Sequence, residues 1–355
     1  MGRHDDGLGT ARTGSSEATR PRHEGIGSDR RGRRDNPERS DAEAKSVRTY
    51  TEAQLRLLAR FGVEAESRFV EVPAVDGRAH VLVTGEGPPV MMVIGGGPPS
   101  AMWAPLMAEL SGFTLYAVDL PGMGLTSRVP YATEGLRTLA VNFLDQVVDR
   151  LGLDRPGFVA QSMGGLWTTW LALDRPGRVP AIVYIGCPAT MLGTSAPFPL
   201  RLGSIPPIGR LLRRLDPPSL KQVDRFIAMA GEDFSHLPEL RELMLAHELL
   251  PDSGAALFEL VQAVVRLRGP RPQVELTEAQ LTRLTQPVNL IWGDHDTFGP
   301  PSVGERAASI IPDAEVHVVP GGHGPWVNQP ARVASLAAPF LRTHIAASRP
   351  HQSRT

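Results

Sequence analysis

Short apolar runs and amphipathic stretches alternate along most of this chain. Thr51 to Phe61 carries Leu55, Leu58 and Phe61 at helical spacing, which predicts a short helix. Strand signals follow at Arg68–Val72, Ala79–Thr84 and the unbroken apolar run Val90–Ile94, separated by the turn-forming segments 73–77 and 85–89. Ala101–Leu110 reads as a helix and Phe113–Val118 as a buried strand. Thr133 is placed to cap a long helix whose Leu136, Leu139, Phe143, Val147 and Leu151 share one face. Further buried strands are expected at Gly157–Ala160, Ala181–Ile185, Val288–Trp292 and Glu315–Val319. Apolar runs without polar alternation, spaced by helices, argue for an α/β fold with a mostly parallel central sheet and helices on both faces.

Two regions break the pattern. Residues 1–48 contain no aromatic residue, and their large apolar side chains are only Met1, Leu8, Ile26 and Val47 among many charges. Such a segment buries too little apolar surface to offset its chain entropy, so an Arg-rich disordered tail is expected there. The last residues, 346–355, are expected to be flexible as well. Between Cys187 and Thr285 no strand run occurs; Leu220–Ala230, Leu237–Leu249 and Gly254–Arg266 read as helices. The expected layout is a core from residues 49–187 and 286–345, interrupted by a helical layer over 188–285.

Composition narrows the function. The chain has 355 residues, with 41% apolar and 21% charged side chains, and 37 basic against 38 acidic residues. With no net field, nucleic acid is not an expected partner. One cysteine, Cys187, excludes an internal disulfide and a cysteine-rich metal site. No apolar stretch approaches the roughly 18 residues of a membrane span. A cytoplasmic protein acting on a small molecule is expected; the oligomeric state stays open.

Candidate chemistry concentrates at strand ends. Phe158-Val159-Ala160-Gln161-Ser162-Met163-Gly164-Gly165 runs a buried strand into a serine and then into a helix. That is the arrangement of a nucleophile elbow, in which a strained turn lifts the hydroxyl above the sheet edge and small residues are needed on either side. A plain tight turn is the alternative. A serine needs a base, and the base needs an orienting carboxylate. Asp294 and Asp296 follow the strand Val288–Trp292, and His323 follows Glu315–Val319. Catalytic groups of open α/β sheets gather at the carboxyl edge, and the chain order Ser, Asp, His is that of one known architecture. His295 lies between two acids but has no third ligand nearby, so no metal is expected.

Taken together these motifs resemble the α/β-hydrolase superfamily over about Arg68 to Leu341. The matching residues are Gly95-Gly96 with Trp103 downstream, Asp119-Leu120-Pro121-Gly122-Met123-Gly124, Ser162-Met163-Gly164-Gly165, Trp292-Gly293-Asp294-His295-Asp296 and Gly321-Gly322-His323. The chain looks most like the branch of serine carboxylesterases, cofactor-free perhydrolases and carbon–carbon bond hydrolases. The resemblance implies Ser162 as nucleophile, His323 as base and Asp296, the second acid of its loop, as the orienting carboxylate. It also implies an oxyanion site at the amides of Met163 and Gly96, with Gly97 as the fallback, and makes residues 188–285 a cap. Trp326 is expected either to line the pocket or simply to pack. Ile94 stands where the family usually has histidine, which leaves the hydrogen bonding of the Gly95–Gly97 loop unaccounted for. A serine hydrolase without cofactor, acting on a carboxylic ester, is the reading; a carbon–carbon or perhydrolase reaction on the same triad is the first alternative. The second is a ligand-binding protein of this fold without turnover.

Overall fold

The computed structural model describes the backbone of residues 37–347 and the side chains of 41–345. Within them one eight-stranded sheet runs in the order β1-β2-β4-β3-β5-β6-β9-β10. Its strands are β1 (Glu66–Val72), β2 (Gly77–Thr84), β3 (Pro89–Val93), β4 (Thr114–Val118), β5 (Gly157–Ala160), β6 (Ile182–Ile185), β9 (Val288–Gly293) and β10 (Ala314–Val319). A two-stranded hairpin, β7 (Val265–Arg266) with β8 (Gly269–Pro270), stands apart. The pairs β1·β2 and β2·β4 are antiparallel, and the others in the sheet are parallel.

Every residue from Val90 to Val93 and from Phe158 to Ala160 is buried, which explains why these strands read as unbroken apolar runs. Successive side chains go to opposite faces. Met91, Val93, Phe158, Ala160, Tyr184 and Leu290 join one core with α3 (Leu136–Arg150) and α4 (Met163–Asp174). Val90, Met92, Ile94, Val159, Val183 and Ile291 join the other, beneath α1 (Pro37–Arg60), α2 (Ala104–Glu109) and the final helix of the chain.

The expectation for residues 1–48 needs correction. Residues 1–36 lie outside the described part, but 37–48 are helical, continuous with the anchored half of α1. Tyr50, Ala53 and Leu57 dock that half on the sheet. Extending a helix from a fixed end needs no new nucleus, so even the largely exposed segment 41–49 continues it. Thr133 does not cap α3 either. Gly135, with φ +83°, occupies the N-cap, while the Thr133 hydroxyl donates to the Ala263 carbonyl across the molecule. Ala101–Leu110 is split into a 3-10 turn at Ser100–Trp103 and the short α2.

Between β6 and β9 lie α5 (Phe198–Gly203), α6 (Pro206–Leu215), α7 (Leu220–Met229), α8 (Pro238–Glu248), α9 (Ser253–Val264) and α10 (Glu278–Leu281). The expected helix over 254–266 ends at Val264, where β7 begins, and proline-initiated α5 and α6 have no counterpart in the periodicity reading. After β9 come α11 (Pro301–Ile310), α12 (Pro325–Asn328) and α13 (Pro330–Ala347). The final helix reaches Ala347, so the segment expected to be flexible from 346 is helical at 346–347; residues 348–355 lie outside the described part.

Candidate active site

The strand β5 ends at Ala160 and α4 starts at Met163, which leaves two residues to turn the chain. Ser162 takes φ +51° and ψ −114°, a backbone conformation that costs a non-glycine residue on the order of 1–3 kcal/mol. The turn is held because the helix after it packs hard against the sheet. A Cβ on Gly164 would collide with the Val93 carbonyl oxygen, and one on Gly165 would press on Pro188. The Ser162 carbonyl accepts from the amides of Leu166 and Ala189, fixing the turn on both sides.

His323 approaches from the loop after β10. Its Nδ1 lies 2.9 Å from each carboxylate oxygen of Asp296. Both side chains are buried, and the imidazole stacks on Phe298 with ring centroids 3.9 Å apart. Asp296 also accepts from the amides of Cys187 and Phe298, each at 2.8 Å. With Nδ1 committed to the carboxylate, Nε2 on the other side of the ring is buried and has no hydrogen-bond partner among the described residues. Ser162 and His323 line the same cavity, of about 110 Å³, several times the space one buried water needs. Asp294, the other acid of the loop, points elsewhere. It is exposed, accepts from the Gly321 amide at 3.1 Å and from the neighbouring His295 ring, and these bonds hold its carboxyl below the usual range.

The Gly95 amide donates to the Gln161 side-chain oxygen at 3.0 Å. The amides of Gly96 and Met163 make no hydrogen bond among the described residues, and both residues line the cavity with Ser162. Gly97 does not line it; with φ +113° it turns toward a smaller cleft beside His247. Trp326 lines the cavity, lies tilted against Trp103 with ring centroids 4.4 Å apart, and its Nε1 donates to the Met102 carbonyl. Cys187 is buried beside Asp296, and burial first and that carboxylate second push its thiol well up, away from reactivity.

Two side chains at this site carried no signal in the sequence. Gln161, next to Ser162, donates its Nε2 to the His323 carbonyl while its oxygen holds Gly95. One amide side chain thus ties the glycine loop to the histidine loop, which answers the question Ile94 raised. Glu232, just past α7, accepts from the amides of Gly322 and Gly324 at 2.8 and 2.9 Å with one oxygen and from Asn328 with the other. Burial raises its carboxyl above the ordinary value, against the pull of those amides. The Ala230 carbonyl completes the clasp by accepting the His323 amide at 2.8 Å.

A second Ser–His–Asp chain shows that residue types alone decide little. Ser67 Oγ lies 2.5 Å from His80 Nε2, and His80 Nδ1 lies 2.6 Å from Asp119. Burial pushes the Asp119 carboxyl up, but His80 and the Ser100 amide hold it below the usual range. Here the serine sits in an ordinary strand and lines neither the cavity of Ser162 nor the cleft beside His247, so the chain is a tether between β2 and the loop after β4.

The family model described as the alpha/beta hydrolase family matches residues 81–336. The chain belongs to the alpha/beta hydrolase family. It is therefore a hydrolase, with relatives among esterases and carbon–carbon bond hydrolases. A pimeloyl-[acyl-carrier protein] methyl ester esterase from Shewanella oneidensis is 28% identical over 74% of this chain and 94% of its own. A 2-hydroxy-6-oxononadienedioate/2-hydroxy-6-oxononatrienedioate hydrolase from Cupriavidus pinatubonensis is 32% identical over 71% of this chain and 86% of its own. In fold, a carboxylesterase from Bacillus subtilis superposes with a TM-score of 0.65 at 21% identity, covering 85% of this chain and 99% of that one. No described helix is long and apolar enough to cross a membrane.

Proposed function

We propose that this hydrolase is a serine carboxylesterase for neutral, apolar esters, and that residues 188–285 form the cap over its site. The observation that carries the reading is His323, whose Nδ1 is held by Asp296 while Nε2 is left unpartnered at the cavity that strained Ser162 lines. Ser162 Oγ attacks the ester carbonyl carbon as Nε2 takes its proton. The imidazolium, stabilised by Asp296, then protonates the departing alkoxide. The free amides of Gly96 and Met163 receive the oxyanion, each contributing on the order of 3 kcal/mol. Water, deprotonated by His323, releases the acid and restores the serine.

The apolar preference follows from the lining. Phe226, Phe234, Met244, Leu257, Leu260 and Val264 dominate it, and no Lys or Arg is among the described residues that line it. The Cupriavidus relative is named for a substrate that carries two carboxylates. Such a dianion would meet Glu232 here and no cation, so carbon–carbon cleavage of that kind is the weaker reading. A fluorophosphonate probe should label Ser162, and a series of p-nitrophenyl esters should show kcat/KM rising with acyl length. No labelling would leave a ligand-binding protein; efficient turnover of a dienoic ring-cleavage product with inert esters would establish the carbon–carbon reaction instead.

A further inference from the structure

Helix α6 exposes what a folded chain ordinarily covers. Leu211, Leu212 and Leu215 are 54%, 40% and 72% exposed, and Phe198 on the adjoining α5 is 56% exposed. Three arginines stand among these leucines in the sequence Arg210-Leu211-Leu212-Arg213-Arg214-Leu215. Arg210 and Arg214 are exposed and pair with no acid among the described residues. Residues 175–215 contain no Asp or Glu at all, in a chain whose charges otherwise balance. The inner side of α6 is closely seated, because a Cβ on Gly209 would run into Phe258 of α9. The leucines therefore cannot turn inward.

We propose that α5 and α6 dock on an anionic lipid surface, the leucines and Phe198 entering the interfacial layer while Arg210 and Arg214 meet the headgroup phosphates. Apolar side chains interleaved with uncompensated arginines on one short exposed helix fit that surface and no neutral one. A second copy of this chain fits worse, since a two-fold contact would set these arginines against their own counterparts with no acid to receive them. Leu200 of α5 also lines the cavity. Docking would then bring the cavity to the lipid phase and, resting on the esterase reading above, extend its substrates to esters dissolved there.

The test uses the full-length protein, Leu211→Ser/Leu215→Ser and Arg210→Glu/Arg214→Glu, none of which touches the cavity. Co-sedimentation is measured with vesicles of phosphatidylcholine alone and with about 30% phosphatidylglycerol. The wild type should partition onto the anionic vesicles, less so at about 0.5 M salt, and each double variant should lose at least about tenfold. Hydrolysis of a soluble short ester should be unchanged, while that of a long-chain ester in anionic vesicles falls with binding. Equal binding to both vesicle types, no binding, or variants that bind like wild type would overturn the proposal; the last would assign binding to the Arg-rich N-terminal segment. A dimer that the leucine variant dissociates would overturn it too. If vesicles bind as expected but the fluorophosphonate leaves Ser162 unlabelled, the esterase reading fails and the docking surface stands.

Discussion

Replacing Asp296 by Asn changes one atom and tests the whole arrangement around His323. The carboxylate accepts from His323 Nδ1 and from the amides of Cys187 and Phe298, one amide on each oxygen. Asn has a single acceptor oxygen, so its NH2 must face one of those two amides. One buried N–H is left unpaired, which costs about 1–3 kcal/mol of stability. The effect on the imidazole is larger. An NH2 beside Nδ1 favours the tautomer with its proton on Nε2, which cannot accept the Ser162 proton, and the charge that stabilises the imidazolium is gone. The known scale of that change in a triad is about 10⁴ in kcat, or about 5 kcal/mol of barrier. kcat on one activated ester, urea unfolding and circular dichroism separate the two effects. Asp294→Asn is the control: that side chain is 53% exposed and screened, so it should lose less than about 1 kcal/mol and keep its kcat. A folded Asp296→Asn enzyme within tenfold of wild type, or a dead Asp294→Asn, would refute the reasoning.

Ser162→Ala should fold normally, lose fluorophosphonate labelling and lose at least about 10⁴ in kcat; retention of a tenth of the activity would identify another nucleophile. Glu232→Ala should orphan the Gly322 and Gly324 amides, which lowers the melting temperature and reduces kcat by about tenfold or more. Glu232→Gln, which keeps an acceptor for both amides, should recover most of it; an Ala variant with wild-type kcat would show that the clasp is dispensable. His247 is buried and its pKa is depressed to about 4, chiefly by burial. Its protonation therefore favours the unfolded chain, so its contribution is intact above about pH 6.5 and is lost as the pH falls toward 4, by on the order of 3 kcal/mol. Urea unfolding of wild type and His247→Leu at pH 7 and pH 5 should show the gap between them shrinking at the lower pH, and a constant gap would contradict the assignment.

The sheet was readable because its inner strands are buried on both faces, so their sequences carry no alternation to confuse. Ser162, Asp296 and His323 stood out because each follows an apolar run, and the fold brings those strand ends to one edge. Other features had no local signature. Gln161 and Glu232 act on loops 66 to 162 residues away, and no periodicity encodes such a bond. Thr133 looked like a cap because residue type marks capability, whereas its hydroxyl was claimed by Ala263. The start of α1 was missed for a related reason: exposed, polar 41–48 is helical only because Tyr50, Ala53 and Leu57 hold the next turns.

The clasp of Ala230 and Glu232 on the His323 loop sets a rule for how the molecule opens. Any hinge that swings α7 away from the sheet takes with it two hydrogen-bond acceptors that define where the imidazole sits. With His323 as the proposed base, an open molecule of that kind would be unable to cut its substrate. Along that coordinate opening and competence exclude each other, so substrate would have to enter by a route that leaves Ala230 and Glu232 seated. A bound ligand that wedged the segment after α7 outward would then be expected to inhibit without approaching Ser162.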